Sequence, residues 1–386
     1  MAQARNFFPA HHDLLVSQLG SLEALLDCSE EELKRCDLPE AHRQRLLEAR
    51  RECNLASELA QVAEQGVTLV GWGSPDYPEL LALIPDAPLM LFCRGDVRCM
   101  RHHGIAIVGS RKCSERGLQF AQQFARELAE LAVPVNSGMA LGIDGAAHEG
   151  ALAARGPTVA VLGCGVDVVY PPQHQQLYER LCKEALVLSE YPLGTPPLKE
   201  HFPQRNRIIS GLSRGTLVVE APMGSGALIT ARLANAQGRE VFALPGPLAS
   251  PLSKGGHSLI KKGEAKLVEN IDDMLMEFGT NRATLRSERL ATAKLPFDEE
   301  AAGAGRADIL SAEGATGRMP ALPSQAPFDL SPAEHGVLEA LSYEGTHVNE
   351  LVRKLGITTA DCIAHLTMLE IKGLITSASG GYYIRL

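Results

Sequence analysis

The sequence predicts an α/β protein built on a doubly wound parallel sheet, with a further domain on each side of it, and three observations support this prediction. Between Ile105 and Phe278, short apolar runs alternate with amphipathic segments of about ten or more residues, the βαβ pattern of such sheets. Leucines at helical spacing precede this segment, and a stretch rich in Ala, Gly and Pro follows it. At 386 residues the chain is long enough for two or three domains. The predicted strands are Ile105–Val108, Val133–Asn136, Thr158–Leu162, Leu186–Ser189, Thr216–Val219 and Glu240–Leu244.

Smaller domains are expected on both sides of the sheet. Helical leucine spacing from Asp13 to Ala63 predicts a small helical domain, and Pro88–Phe92 predicts a strand that leads into the sheet. Three helical stretches and a hairpin from Leu374 to Arg385 predict a winged helix at the end of the chain. The predicted boundaries are 1–70 for the helical domain, 71–278 for the sheet domain, 279–328 for a flexible linker and 329–386 for the winged helix.

The charge of the chain is unevenly distributed. The net charge is −9, which argues against nucleic acid as a partner, because phosphate binding needs Lys and Arg. Lys plus Arg balances Asp plus Glu at 17 against 17 between Ile105 and Phe278, whereas the residues before Ile105 carry 10 against 16. The acidity therefore lies mainly outside the predicted sheet domain, and the charge does not exclude an anion-binding site there.

The composition also bears on compartment and cofactors. No signal pattern and no apolar run of about 20 residues occurs, so we expect a soluble, cytoplasmic protein without membrane contact. The nine cysteines include no C-x-x-C pair, which predicts reduced thiols, no zinc site and no disulfide framework. No metal and no cofactor is expected.

The loops that follow the predicted strands carry the candidate binding residues, because ligands of parallel sheets bind at the carboxyl ends of the strands. The first loop, Gly109-Ser110-Arg111, combines a glycine for close approach, a hydroxyl donor and a guanidinium for phosphate. A plain βα turn with a solvated arginine is the alternative. The other candidates in such loops are Ser137, Gly224, Ser225 and Gly226, with Thr230 and Arg232 in the first turns of the next helix.

These loops do not match the common nucleotide-binding motifs. Gly163-Cys164-Gly165 lacks the third glycine of G-x-G-x-x-G, and no G-x-x-x-x-G-K-[ST] occurs, which disfavours NAD binding and a P-loop NTPase. Asp144 follows a glycine loop, and we expect it to cap the next helix rather than to act in catalysis.

The densest cluster of cations surrounds one aromatic residue. Single-strand binders combine charges along the backbone with a ring on which a base stacks. Phe202 as a core residue at a helix entry, with the arginines in ion pairs, is the alternative. Because Arg205 and Arg207 are two positions apart, we expect that they do not both face inward on a helix. The cluster contains Lys199, His201, Phe202, Arg205, Asn206 and Arg207.

These residues together resemble the DNA-processing protein A family (DprA, also called Smf). The resemblance runs from about Asp76 to Val268 and rests on several motifs in order. They are Asp76-Tyr77-Pro78, Gly109-Ser110-Arg111, Ser137-Gly138-x-Ala140-x-Gly142-Ile143-Asp144, Ala160-Val-Leu-Gly163, Tyr170-Pro171, Ser189-Glu190-Tyr191-Pro192, Phe202-Pro203-x-Arg205-Asn206-Arg207-Ile208-Ile209-Ser210-Gly211 and Ser225-Gly226-Ala-Leu-Ile-Thr230-Ala231-Arg232.

The resemblance implies an extended Rossmann-like fold and a dimeric, non-catalytic single-stranded DNA-binding protein. Such a protein protects incoming DNA and loads the RecA recombinase during natural transformation. Carried over by motif, Arg111 and Lys199 contact phosphates and Phe202 stacks on a base, while Ser110, Arg205 and the Gly224–Gly226 loop line the pocket. The resemblance also likens the first domain to sterile-alpha-motif-like or helix-hairpin-helix-like modules. This chain departs from the Tyr-Pro-x-x-Asn of many members in its Tyr170–His174 loop, which holds no lysine.

Two other functions remain open from the sequence. A nucleotide phosphoribohydrolase shares the glycine-loop layout, although the Met223–Thr230 loop has no acid within the following helical turn. A protein-binding adaptor is consistent with the acidic segments on either side of the sheet domain. This hypothesis predicts no salt-dependent affinity for DNA. We expect a protein-contacting role for the winged helix, because its candidate recognition helix, Thr359–Ile371, has no Lys or Arg. We place the dimer contact around Leu259–Leu275.

Overall fold

A computed structural model describes residues 7–21, 24–52 and 54–293, and separate short stretches between 336 and 385. The chain divides into two compact units, Met1–Phe297 and Asp298–Leu386. Within the described residues, no helix is long and apolar enough to cross a membrane.

The first unit contains a nine-stranded mixed sheet, which confirms the predicted α/β class. The strand order is β1-β2-β6-β5-β4-β3-β7-β8-β9; β2 is antiparallel to both β1 and β6, and the other neighbours are parallel. The strands are β1 Thr68–Gly71, β2 Met90–Gly95, β3 Gly104–Val108, β4 Val135–Ser137, β5 Thr158–Val161, β6 Leu186–Ser189, β7 Ser213–Val218, β8 Glu240–Ala243 and β9 Lys266–Leu267.

Helices cover both faces of this sheet, as a doubly wound fold requires. Side chains on both faces of strand β3 are apolar and must be covered. Ile105 and Ile107 belong to one buried cluster, while Ala106 and Val108 belong to another on the opposite face. The helices that follow β1 are α6 Glu79–Ala82, α7 Glu115–Glu130, α8 Ile143–Ala153, α9 Gln175–Glu184, α10 His201–Gly211, α11 Gly226–Ala236, α12 Lys254–Lys261, α13 Ile271–Glu277 and α14 Arg282–Ala293.

The order of the strands determines where a ligand can bind. From β3 the chain proceeds through β4 to β5 and β6 on one side, and then returns to β7, β8 and β9 on the other side of β3. The direction of winding therefore reverses between β3 and β7. In open α/β sheets, the crevice at the carboxyl ends of the strands beside such a reversal is the usual binding site.

The helical domain precedes the sheet but ends earlier than predicted. Its buried side chains, among them Leu15, Leu33 and Leu46, form a separate core. Its helices are α1 Pro9–Leu19, α2 Ala24–Asp27, α3 Glu30–Arg35, α4 Glu40–Glu52 and α5 Leu55–Glu64. The boundary predicted at residue 70 falls inside β1, which pairs with β2 and so belongs to the sheet.

The start of the predicted flexible linker is helical, which corrects the prediction for that part. Helix α14 is anchored because Arg282 forms ion pairs with Asp272 and Glu127 at 2.8 Å each. The Asn281 side chain accepts a hydrogen bond from the Thr284 amide, and Leu285 packs on the core of the sheet domain. Composition alone did not reveal these contacts. Residues 294–328 of the predicted linker lie outside the described residues.

The second unit contains elements of the predicted winged helix. A three-stranded sheet has the order β10-β12-β11, and its hairpin of β11 and β12 agrees with the predicted hairpin. Leu351, Leu366 and Ile375 are among the buried residues of the second unit. Most of the predicted recognition helix Thr359–Ile371 lies outside the described residues. The elements are β10 Thr346–His347, α15 Val348–Leu355, β11 Ile375–Ala378 and β12 Tyr382–Arg385.

Candidate nucleic-acid interface

A cavity of about 790 Å³ lies at the carboxyl ends of β3 and β7, where the winding reverses. The loops after these two strands, the first turns of α10 and the start of α11 form its walls. Most of the site residues predicted from the sequence line it. They are Gly109, Ser110, Arg111, Lys199, Phe202, Arg205, Asn206, Ser225, Gly226 and Thr230.

The loop after β3 presents two exposed cations to this cavity. The buried Ser110 hydroxyl donates to the Lys112 carbonyl oxygen at 2.8 Å and accepts from the Lys112 amide at 3.1 Å, which folds the loop tightly. Arg111 and Lys112 remain exposed and line the cavity. Gly109 is required for packing, because a Cβ there would lie 2.5 Å from Cγ1 of Ile143. Lys112 was missed by the sequence analysis, although it directly follows Arg111.

An aromatic ring lies beside one of these cations, Arg111, in the cavity wall. Phe202, in the first turn of α10, is half-buried, and the Arg111 guanidinium carbon lies 5.6 Å from its ring centroid. Tyr170 contacts Phe202 with a centroid distance of 5.3 Å and an interplanar angle of 39°. Tyr170 lines the cavity too and was not predicted as a site residue. Phe202 is thus neither a core residue nor an isolated surface ring, but part of a cavity wall.

The start of helix α11 forms another part of the wall. Ser225 is the N-cap residue, and its hydroxyl accepts a hydrogen bond from the Ala227 amide at 3.3 Å. The N-terminus of a helix attracts anions through its free N–H groups and its dipole. Exposed Lys199, just before α10, adds a further cation to the lining.

A buried pair of charges lies beneath these surface groups. Arg205 and Asp144 both line the cavity yet are only 4% and 8% exposed, and Arg205 donates to the Gly138 carbonyl oxygen at 3.0 Å. Burial raises the pKa of Asp144 to about 6, whereas Arg205 and nearby backbone N–H groups oppose the increase. Burial also lowers the pKa of Arg205 to about 10, so its guanidinium stays charged at neutral pH.

Asp144 does not cap the helix as the sequence analysis expected. The N-cap residue of α8 is Gly142, with a φ of 81° that favours glycine, and Asp144 lies inside the first turn. It is buried near Arg205 instead. The Asp144 carboxylate accepts hydrogen bonds from three backbone N–H groups, those of Gly109, Gly138 and Ala140. Among the described residues that line the cavity, Asp144 is the acid, and the other charged side chains are cations.

Comparison with known proteins identifies the family. Residues 68–279 match the family model described as DNA recombination-mediator protein A, and residues 321–381 match the DprA winged helix domain. The chain belongs to the DNA recombination-mediator protein A family. It is 37% identical over 316 residues to Protein Smf of Synechocystis, which covers 81% of this chain and 78% of the relative.

Solved structures of this family are also similar to the chain. The X-ray structure of DprA from Streptococcus pneumoniae is 36% identical, with a TM-score of 0.59, and the match covers 71% of this chain and 94% of that structure. A structure of DNA processing protein A from Helicobacter pylori, described for its single-stranded DNA-binding mode, is 30% identical with a TM-score of 0.50. That match covers 57% of this chain and 97% of the other. The family and the fold that the sequence suggested are therefore confirmed.

Four residues predicted for the DprA site lie away from the cavity lining. Arg207 is 7% exposed and binds the two carboxylate oxygens of Glu190 at 2.6 and 2.7 Å. Ser137 is fully buried and donates to the Ile107 carbonyl oxygen at 2.7 Å. Gly224 and Arg232 are exposed without lining the cavity.

The expectation that Arg205 and Arg207 do not both face inward is wrong. Both are buried because structure surrounds α10 on two sides. Arg205 contacts the loop after β4, whereas Arg207 contacts Glu190 after β6 and the carbonyl oxygen of Asp86 at 2.9 Å.

Proposed function

We propose that this member of the family binds single-stranded DNA in the cavity between β3 and β7. The observation that carries the proposal is the pairing of Arg111 with Phe202 in one cavity wall, at 5.6 Å. A cation beside an aromatic ring in a cavity wall can neutralise a phosphate while the ring stacks on the adjacent base. The Helicobacter pylori relative, whose published description concerns single-stranded DNA binding, supports the same function for this chain.

The proposed roles of the residues follow from their exposure. Arg111, Lys112 and Lys199 are exposed and bind phosphates, and the start of α11 offers backbone N–H groups to the same anions. Phe202 stacks on a base, and Tyr170 supports its ring from the side. Arg205 adds positive charge at the buried side of the cavity and donates a hydrogen bond to the Gly138 carbonyl oxygen.

The cellular role is proposed from the family description. A recombination mediator protects incoming single strands and delivers them to a recombinase, so we propose that this chain loads RecA during natural transformation. It acts in the cytoplasm as a homodimer and catalyses no reaction of its own. The winged helix contacts proteins or regulates the activity rather than reading duplex DNA.

The proposal is tested by measuring the affinity for labelled single-stranded and duplex oligonucleotides over a series of salt concentrations. We expect a preference for single strands and a log–log salt slope that loses about 0.7 for each phosphate contact removed. Arg111→Ala reduces the slope, whereas Arg126→Ala, an exposed arginine on the far part of α7, leaves it unchanged. Absence of salt-dependent affinity would support the protein-binding adaptor instead.

One observation favours a second function, nucleotide hydrolysis. Asp144 is an acid in the cavity lining, and its pKa is raised to about 6, a value suited to proton transfer. Burial alone explains that raised pKa without a reaction, and the nearby charge of Arg205 opposes the increase. Release of free base from nucleoside monophosphates by the wild type, but not by Asp144→Asn, would establish the enzyme.

A further inference from the structure

Glu220, two residues after the end of β7, contacts both ends of the loop that carries the exposed cations. Its backbone carbonyl oxygen accepts a hydrogen bond from the Ser110 amide at 2.7 Å. Its carboxylate accepts two more, from the Ser114 amide at 2.8 Å and from the Ser114 hydroxyl at 2.7 Å. Only Arg111, Lys112 and Cys113 lie between these two anchor points.

The carboxylate of Glu220 also fixes the start of α7. Ser114 is the N-cap residue of this helix, and its hydroxyl accepts from the Gly117 amide at 3.0 Å while it donates to Glu220. The space around the carboxylate is filled, because a Cβ on Gly117 would lie 2.5 Å from Oε2 of Glu220. Through its backbone carbonyl and its carboxylate, Glu220 therefore ties β7 to both ends of the loop that carries Arg111 and Lys112 and to the N-terminus of α7.

Glu220 is an acidic residue beside a loop that we propose binds anions, so its position requires an explanation. Its negative charge opposes phosphate binding, since like charges near an interface lower affinity. Glu220 is only partly exposed and does not line the cavity, so it has no direct contact to offer the ligand there. Its contacts instead keep Arg111 and Lys112 in one place before the ligand arrives, which reduces the entropy lost on binding.

We infer that Glu220 is a positioning residue for single-strand binding, which acts by holding the Arg111–Lys112 loop in its binding conformation. The inference rests on the proposed function of the cavity. A positioning role and simple electrostatics predict opposite changes in DNA affinity when Glu220 is replaced. Removal of a nearby negative charge by itself tightens DNA binding, whereas loss of the loop anchor weakens it.

Three variants separate the two effects. Glu220→Ala removes the charge and the Ser114 anchor but keeps the backbone contact with Ser110, and we expect affinity for labelled oligo(dT) to fall roughly ten-fold, the worth of about one charge-assisted hydrogen bond. Glu220→Gln removes the charge but keeps the anchor, since its amide oxygen accepts from the Ser114 amide and its NH₂ donates to the Ser114 hydroxyl. Affinity of this variant equals or exceeds that of the wild type. Gly117→Ala displaces the carboxylate without removing it and weakens binding like Glu220→Ala.

A double-mutant cycle shows whether Glu220 acts through the cations. In an Arg111→Ala/Lys112→Ala background, Glu220→Ala no longer weakens binding, because the loop then has no charges to position, and loss of the negative charge leaves the affinity equal or slightly higher. Thermal unfolding of each variant confirms that the folded protein is being compared. If the wild type does not bind oligo(dT), the proposed function fails. If the wild type binds and Glu220→Ala binds equally or more tightly, the proposed function stands and the positioning role is refuted.

Discussion

The guanidinium carbon of Arg111 lies 5.6 Å from the centroid of the Phe202 ring, and each residue comes from a different part of the chain. Arg111 follows β3, and Phe202 lies in the first turn of α10. A cation at this distance interacts favourably with the ring, typically by about 0.5–1 kcal/mol at exposed sites. The contact places both groups in the lining of the same cavity, so the proposed phosphate and base contacts lie close to each other.

Replacement of the Phe202 ring should reduce affinity without changing the salt dependence. We expect Phe202→Ala to lose about 1–3 kcal/mol of binding free energy to single-stranded DNA, the usual worth of one stacked base. Phe202→Tyr keeps the ring and most of the affinity. Phe120→Ala is the matched control, because Phe120 is 38% exposed on α7 and lies outside the cavity. Fluorescence anisotropy titrations measure the affinities, and a reduced salt slope in Phe202→Ala would contradict the stacking role.

The sheet and the chemistry of its loops could be predicted from the sequence, because both depend on local patterns. Strand β6 was predicted at its observed bounds, and the loop after β3 was selected by its glycine, serine and arginine. The same local reasoning failed where contacts come from distant residues. Helix α14 depends on ion pairs with Asp272 and Glu127, which no pattern within the helix reveals.

The helix α10 shows this limit within the candidate site. Its sequence shows cations around one aromatic residue but not which cations are buried. Arg205 and Arg207 point to opposite sides of the helix, and each side is covered by a segment far away in sequence. Tyr170 was missed for the same reason, since its contact with Phe202 joins a loop and the first turn of α10, which are adjacent only in the folded chain.

Arg207 should matter for stability rather than for binding. Its guanidinium forms a bidentate ion pair with the Glu190 carboxylate and donates a further hydrogen bond to the Asp86 carbonyl oxygen. Arg207 itself is only 7% exposed. Removal of one partner of a buried ion pair leaves the other charge uncompensated, and we expect Arg207→Ala to cost about 3–5 kcal/mol of unfolding free energy. Urea denaturation measures the loss. Under conditions that keep the variant folded, its DNA affinity stays within about two-fold of the wild type; a selective loss of binding would assign Arg207 to the interface instead.

Asp144 should make stability depend on pH between about 4 and 6. Its pKa is raised by burial from 3.8 to about 6, so in this range the folded state binds more protons than the unfolded state. Stability therefore falls as pH rises through this window, by up to about 3 kcal/mol at 1.36 kcal/mol per pKa unit. Urea denaturation at several pH values compares the wild type with Asp144→Asn. The stability of the wild type relative to the variant declines from pH 4 to 6 and is constant above; a difference independent of pH would show that Asp144 titrates normally.

Two glycines near the cavity should respond differently to the same substitution. A Cβ on Gly138 would lie 2.6 Å from Nη2 of Arg205 and 2.8 Å from Oδ2 of Asp144, directly between the buried charges. A Cβ on Gly226 would meet no atom within 4 Å. We expect Gly138→Ala to lower the unfolding free energy by about 1–3 kcal/mol through overpacking, whereas Gly226→Ala has little effect. Because Arg205 is displaced, Gly138→Ala also weakens single-strand binding. Equal stability of the two variants in urea denaturation would mean that the buried charges move apart at little cost, and Gly138 would then not be needed for their packing.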